Sequence, residues 1–184
     1  MTAPSSRVAQ VCRLLNAEEA RYLVVGAIAM QLWGTTRATR DVDILIDPTL
    51  ENADRVLRAL GHLPFGVAAE LTAADVISRG VTMIGDTPNV DILTRAWNLQ
   101  WRDAERDVAV FTVDGVAVPT VSIRNLIESK RTGRLQDLAD IQVLEELQRL
   151  RSSWGQSRFV GGGARGEQKE TPQKKPPQNP PPHP

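Results

Sequence analysis

A single cysteine, Cys12, stands in a chain of 184 residues, so no internal disulfide can form, and such sparse usage suits a reducing compartment; we expect a cytoplasmic protein with Cys12 as a small core residue. There is no excess of charge. Lys plus Arg and Asp plus Glu number 22 each, which excludes nucleic-acid binding by bulk charge while leaving room for a local basic face. Long apolar runs are also missing. The longest, Tyr22 to Met30, is too short to span a bilayer, and no basic flank followed by an apolar stretch marks a signal peptide at the amino terminus. From Gly161 onward no large apolar residue occurs, and seven of the twelve prolines fall there. That segment cannot bury enough surface to offset its ordering entropy, so it is expected to be a disordered tail with polyproline stretches. Setting aside its four basic and two acidic residues leaves 18 basic against 20 acidic side chains in the foldable part.

What is present is patterned as one domain of mixed elements. Ser5 or Ser6 is placed to cap a first helix with Val8, Val11, Leu14 and Leu15 on one face. A short strand, Tyr22–Val25, runs into Gly26 and a helix from Ala27 to Trp33. A polar loop, 35–40, leads to an apolar strand bearing Asp41 and Asp43, and a helix from Leu50 to Leu60 follows. Residues 62–80 read as a loop with a short helix beginning near Thr72. Val81–Ile84 and Val90–Leu93 read as a hairpin, and a helix is expected around Trp97–Arg106. Val108–Val113 and Val116–Val118 flank Asp114-Gly115, a two-residue hairpin signal. Two helices close the pattern, one from Ser122 to near Gly133 and one from Leu135 to Leu150 with Leu138, Ile141, Leu144 and Leu147 buried. The expected class is α+β, a mixed sheet packed with helices. A core with its N-terminal helix covers 1–120, two C-terminal helices cover 121–152, and a Gly/Pro-rich tail covers 153–184.

Asp41 and Asp43 carry the most chemistry. Residues two apart in a strand point to the same face, roughly 6.5–7 Å apart along the chain. Two carboxylates aimed at one place repel unless a cation lies between them. The same spacing also serves a turn or cap with both acids in water. Asp91, inside the apolar run Asn89-Val90-Asp91-Ile92-Leu93, adds a third carboxylate that would complete an all-oxygen site for two Mg²⁺ ions; a strand-end acid facing solvent is its plainer explanation. Gly26, at a strand–helix junction, permits close backbone approach, and free amides at a helix start attract phosphate. Lys130 and Arg134 share one face if the last helix but one continues through Gly133; otherwise they belong to a solvated, ion-paired surface.

Taken together, Val24-Val25-Gly26-Ala27, Thr39-Arg40-Asp41-Val42-Asp43, Val90-Asp91-Ile92-Leu93, and Leu126-Ile127 with Lys130 and Arg134-Leu135-Gln136-Asp137 resemble a minimal nucleotidyltransferase of the polymerase-β-like superfamily. The nearest subgroup is the AbiEii/AbiGii-like bacterial one, often found in toxin–antitoxin or phage-defence loci. The resemblance covers roughly residues 20–145. It departs at Ala27, where Gly or Ser is usual, and at Trp33-Gly34, where many relatives carry His-Gly; Trp33 is expected to pack in the core or, alternatively, to offer a face to a base.

The resemblance implies that Asp41, Asp43 and Asp91 bind two Mg²⁺ ions and a nucleoside triphosphate such as ATP. Gly26 and Ala27 amides would hold phosphate oxygens, and Lys130, Arg37, Arg40 and Arg134 would neutralise phosphate charge, with Asp137 supporting Lys130. An acceptor hydroxyl on RNA, on a protein side chain or on an antibiotic-type small molecule would receive the nucleotide. The alternative is a non-catalytic partner of a cognate toxin or antitoxin that keeps the fold.

Overall fold

The computed structural model describes residues 6–157, and the expected tail from Gly161 onward lies outside them. Helix α1 (Arg7–Ala17) begins where Ser6 Oγ accepts the Ala9 N–H at 3.3 Å, satisfying one orphan donor of the first turn. Its buried stripe is Val8, Val11, Cys12 and Leu15, which places the cysteine in the core. Strand β1 (Tyr22–Val24) gives way at Gly26 to α2 (Gly26–Trp33). Strand β2 (Val42–Ile46) is followed by α3 (Leu50–Leu60), capped by Thr49. The side chain of the buried Asn52 fastens that entry: its Nδ2 donates to the carbonyls of Arg21 and Asp47, and its Oδ1 accepts the Arg21 N–H at 2.7 Å.

Within 62–80 the structure places α4 (Ala73–Ser78), started by a reciprocal Thr72–Asp75 capping box. The hairpin β3 (Val81–Ile84) and β4 (Val90–Leu93) follows as the sequence predicts. The region 97–106 differs from expectation. A two-stranded ribbon, β5 (Arg95–Ala96) and β6 (Leu99–Gln100), turns through Trp97-Asn98, and only Trp101–Ala104 is helical (α5). Trp97 lies at φ +57°, which takes it out of any helix. Strands β7 (Val108–Val113) and β8 (Val116–Val121) pair around Asp114-Gly115, both at positive φ as a tight hairpin turn demands, and β8 extends three residues beyond the expected end.

A second correction concerns the next helix. α6 (Ile123–Ser129) stops at Lys130, its C-cap, and does not reach Gly133. Gly133 takes φ +83°, and α7 (Leu135–Ser157) starts afresh. Lys130 and Arg134 therefore do not share a helix face. α7 also continues past residue 152, to Ser157. On it Leu144 is fully buried and Ile141 and Leu147 partly so, but Leu138 is 47% exposed; the acids Asp137 and Asp140 occupy the inward positions. The stripe runs 137, 140, 144, so its first turn faces inward with carboxylates rather than leucine.

The six-stranded mixed sheet has the order β3-β4-β2-β1-β8-β7. β2 is antiparallel to β1 and parallel to β4, and β1 is parallel to β8. This is the expected α+β architecture. α1 packs on β8 and β2, with α3 against α1 and α4; α2 packs on β2 and α6, and α6 on α7. Ile44, Ile46, Val90 and Ile92 are fully buried, and these alternate with the residues that carry the acids. Among the described residues, no helix is long and apolar enough to cross a membrane.

Candidate active site

The parallel register of β2 and β4 sets Asp43 opposite Asp91. Neighbouring strands are about 4.8 Å apart, so the two carboxylates rise side by side from one face of the sheet. Asp41 lies two residues before Asp43, at the strand entrance, and Asn89 stands in the equivalent place before Asp91. Asn89 Nδ2 donates to Asp41 Oδ1 at 3.1 Å, tying the entrances of the two strands together. The Asp41 N–H donates in turn to Thr39 Oγ1 at 3.2 Å, which fixes the end of the preceding loop.

Gly26 explains how Asp43 fits. A Cβ at that position would lie 1.9 Å from Asp43 Oδ2, and the residue has φ +65°. Only glycine leaves room for the carboxylate and takes this backbone conformation without strain. The Val25 N–H donates to the Asp43 carbonyl at 3.0 Å. The Ala27 N–H, at the start of α2, bonds the Asp43 carboxylate. The amide expected to meet phosphate thus already serves an acid.

The acids bear on one another. Burial, then the charges of Asp91 and Asp41, push the Asp43 carboxyl up to about 6, against the opposing pull of Lys130 and the Ala27 amide. Burial and Asp41 also raise Asp91. Three carboxylates crowded until two of them hold protons more tightly are a donor set that a hard cation would relieve, and carboxylate oxygens are the ligands Mg²⁺ takes. Chemistry and electrostatics therefore fit that ion. The geometry is less complete: among the described residues, no three acidic, histidine or cysteine side chains form a closed ligand group.

Lys130 connects this face to α7. Its Nζ donates to Asp137 Oδ1 at 3.2 Å and to Asp140 Oδ2 at 2.8 Å. Thr132 Oγ1 bonds Asp137 as well. Burial alone would raise Asp137, but the bonds from Thr132 and Lys130 and the charges of Lys130 and Arg134 hold it below the usual carboxylate range. Arg37 reaches across from its loop, with one guanidinium nitrogen 2.8 Å from Asp140 Oδ1, and its carbonyl accepts from Gln31 Nε2. Arg37 thus braces a buried acid, whereas Arg40 is exposed. Arg134 lies 3.7 Å from Asp137 Oδ2 and 5.5 Å from the centroid of Trp97.

A cavity of about 240 Å³ brings Gly26, Asp43, Lys130, Arg134, Asp137 and Trp97 to one space. A larger one, about 690 Å³, shares Leu93, Trp97 and Arg134 with it and is lined also by Arg79 and Arg95. Trp33 does not reach either: its indole N–H donates to the Val121 carbonyl at 2.9 Å and its ring meets Phe111 edge-on, the core role expected of it.

Sequence reasoning missed Asp140 as the acid shared by Lys130 and Arg37, although its three-residue spacing from Asp137 was a helix-face signal. It also missed Trp97, hidden in a two-residue turn between very short strands. Asn89 was legible only as a neighbour of Asp91.

No family model matches the chain and no curated protein matches it. Solved structures similar to it include two named as nucleotidyltransferases or nucleotidyltransferase-like. One is a candidate nucleotidyltransferase from Thermotoga maritima, 16% identical, covering 82% of this chain and 88% of that one, with a TM-score of 0.43. The other is an antigenic nucleotidyltransferase-like protein from Paracoccidioides brasiliensis, also 16% identical, covering 85% and 91%, with a TM-score of 0.47. At these values neither likeness bears on the chemistry, which rests on the residues above.

Proposed function

We propose that this chain is a divalent-metal-dependent nucleotidyltransferase, carrying a nucleoside monophosphate from a triphosphate to an acceptor hydroxyl. The observation that supports it best is the parallel pairing of Asp43 with Asp91 beneath Gly26, with Asp41 at the strand entrance. Asp41, Asp43 and Asp91 would hold Mg²⁺, which when bound supplies charge neutralisation for the triphosphate and acidifies the attacking hydroxyl. In the transfer, the acceptor oxygen bonds the α-phosphorus, the bond to the pyrophosphate oxygen breaks, and the acceptor proton leaves to water. Lys130 is fixed by Asp137 and Asp140, so its ammonium is pre-positioned beside Asp43. Arg134 and the exposed Arg40 are available to phosphate oxygens; Arg37 acts through Asp140 as a positioning residue.

A second reading, a binding protein without catalysis that partners a toxin or antitoxin, draws on the ion pairs that occupy Lys130 and on the absence of a closed ligand group among the described residues. Toxin–antitoxin or phage-defence context, cytoplasmic residence and ATP binding belong to the nucleotidyl-transfer proposal. The test supplies each α-labelled nucleoside triphosphate with Mg²⁺ and a cell extract to wild type, Asp41→Ala and Asp43→Ala. Label on RNA, protein or a small molecule with wild type alone supports transfer; equal labelling by all three, or none, favours the binding protein.

A further inference from the structure

We propose that the 690 Å³ cleft beside the acids binds single-stranded nucleic acid, and so presents the acceptor strand; this rests on the nucleotidyl-transfer reading only for the word acceptor. The first observation is Trp97. It occupies the turn between β5 and β6 at φ +57°, a conformation that disfavours bulky side chains, and the residue is 54% exposed, with the Arg134 guanidinium over its ring 5.5 Å from the centroid. Neither backbone preference nor burial accounts for a tryptophan here, whereas an exposed indole beside an arginine is a platform on which a base can stack. The second is charge. Arg79, Arg95, Arg134 and no acid line the cleft. Arg79 lies 3.5 Å from Asp75 and Arg134 3.7 Å from Asp137, while Arg95 makes no ion pair among the described residues. The third is position. β4 carries Asp91 on the acid face and Leu93 in the cleft wall, and the cleft shares Leu93, Trp97 and Arg134 with the acid cavity.

A mononucleotide bears its phosphates on one side of its base. Here Arg134 lies over the Trp97 ring and lines both cavities, while Arg79 and Arg95 line the cleft alone. Cations spread from the acid cavity into the cleft around one stacking platform fit a phosphodiester chain, which carries phosphate on both sides of each base. The chain's near-zero net charge requires such recognition to be local.

The test measures anisotropy of a fluorescein-labelled single-stranded RNA, its DNA counterpart and the duplex, with full-length protein and no metal, alongside calorimetric binding of ATP with Mg²⁺. We expect single strands to bind better than duplex, with a log–log salt slope no steeper than about −2 for three neutralised phosphates. Arg95→Ala should reduce that slope by about 0.7 and leave ATP affinity unchanged. Trp97→Gly, which suits the left-handed turn and should not lower Tm, should weaken strand binding about tenfold. No strand binding at low salt, wild-type strand binding by both variants, or an equal loss of ATP affinity in Arg95→Ala would overturn the inference. Because strand binding is read without metal, Asp43→Asn should retain it. Strand binding without any label transfer sinks the transfer reading alone, and transfer to a non-nucleic-acid acceptor sinks this one alone.

Discussion

At Gly26 one absent methyl group decides whether Asp43 can stand where it does. Gly26→Ala would meet Asp43 Oδ2 at 1.9 Å and force an L side chain to φ +65°. We expect loss of transfer activity and a destabilisation of about 1–3 kcal/mol, read by urea denaturation. Asp43→Asn should act in the opposite sense on stability. The folded protein keeps the Asp43 proton up to about pH 6, against an ordinary 3.8. Between those values the native state binds more protons than the unfolded one, so stability falls as pH rises through the window and remains lower above it. Asn removes the buried charge, so metal-free Asp43→Asn should gain about 1–3 kcal/mol at pH 8, lose that gain near pH 4, and be inactive throughout. A variant equally destabilised at both pH values would show that the carboxylate is not under electrostatic stress. Asp41 and Asp43 were legible at this scale because their period of two needs no tertiary knowledge. Asp140 was not, because its meaning comes from Lys130 and Arg37, whose side chains converge only in three dimensions.

Among the elements, the junction of α6 and α7 carries the most consequence. Ending α6 at Ser129 frees Lys130 to turn inward, and the left-handed Gly133 lets α7 return with Asp137 and Asp140 facing it. Removing one partner from such a group leaves buried charge uncompensated. Asp140→Asn should therefore cost about 3 kcal/mol in thermal or chemical denaturation, well above the cost at an exposed pair such as Arg149–Glu146, where ~0.5 kcal/mol is expected. Asp137 adds a pH dependence of the opposite sign to that of Asp43: its carboxyl is held low in the fold, so its contribution is present above the ordinary carboxylate pKa and disappears as pH falls through the depressed value. The sequence pattern found both helices and the break near Gly133 but ran the first past its cap, since Lys130, Arg131 and Thr132 include neither glycine nor proline to mark its end. It also assigned a helix near Trp97, where two two-residue strands are too short to show alternation.

For the whole molecule, strand order is what a linear reading could not supply. The resemblance led us to expect three acids on one face, but the placing of β4 next to β2 in parallel register, with Asp91 opposite Asp43, is a property of the folded sheet. Among the described residues, the buried core lies within 8–144. Deleting residues 158–184 should accordingly leave Tm within a few degrees, as followed by circular dichroism; a large drop would mean that the core extends beyond the elements described here.

In the proposed function the sheet acids hold a divalent cation together with a nucleotide. Electron paramagnetic resonance of free Mn²⁺ reads this directly, titrated against wild type and Asp43→Asn with a non-hydrolysable nucleoside triphosphate present. We predict that wild type removes the free-ion signal, that affinity falls as pH drops below about 6, and that Asp43→Asn binds at least about tenfold more weakly, the least that loss of a ligand should cost. Equal Mn²⁺ uptake by a folded Asp43→Asn, or none by wild type, would rule out a cation site on these acids.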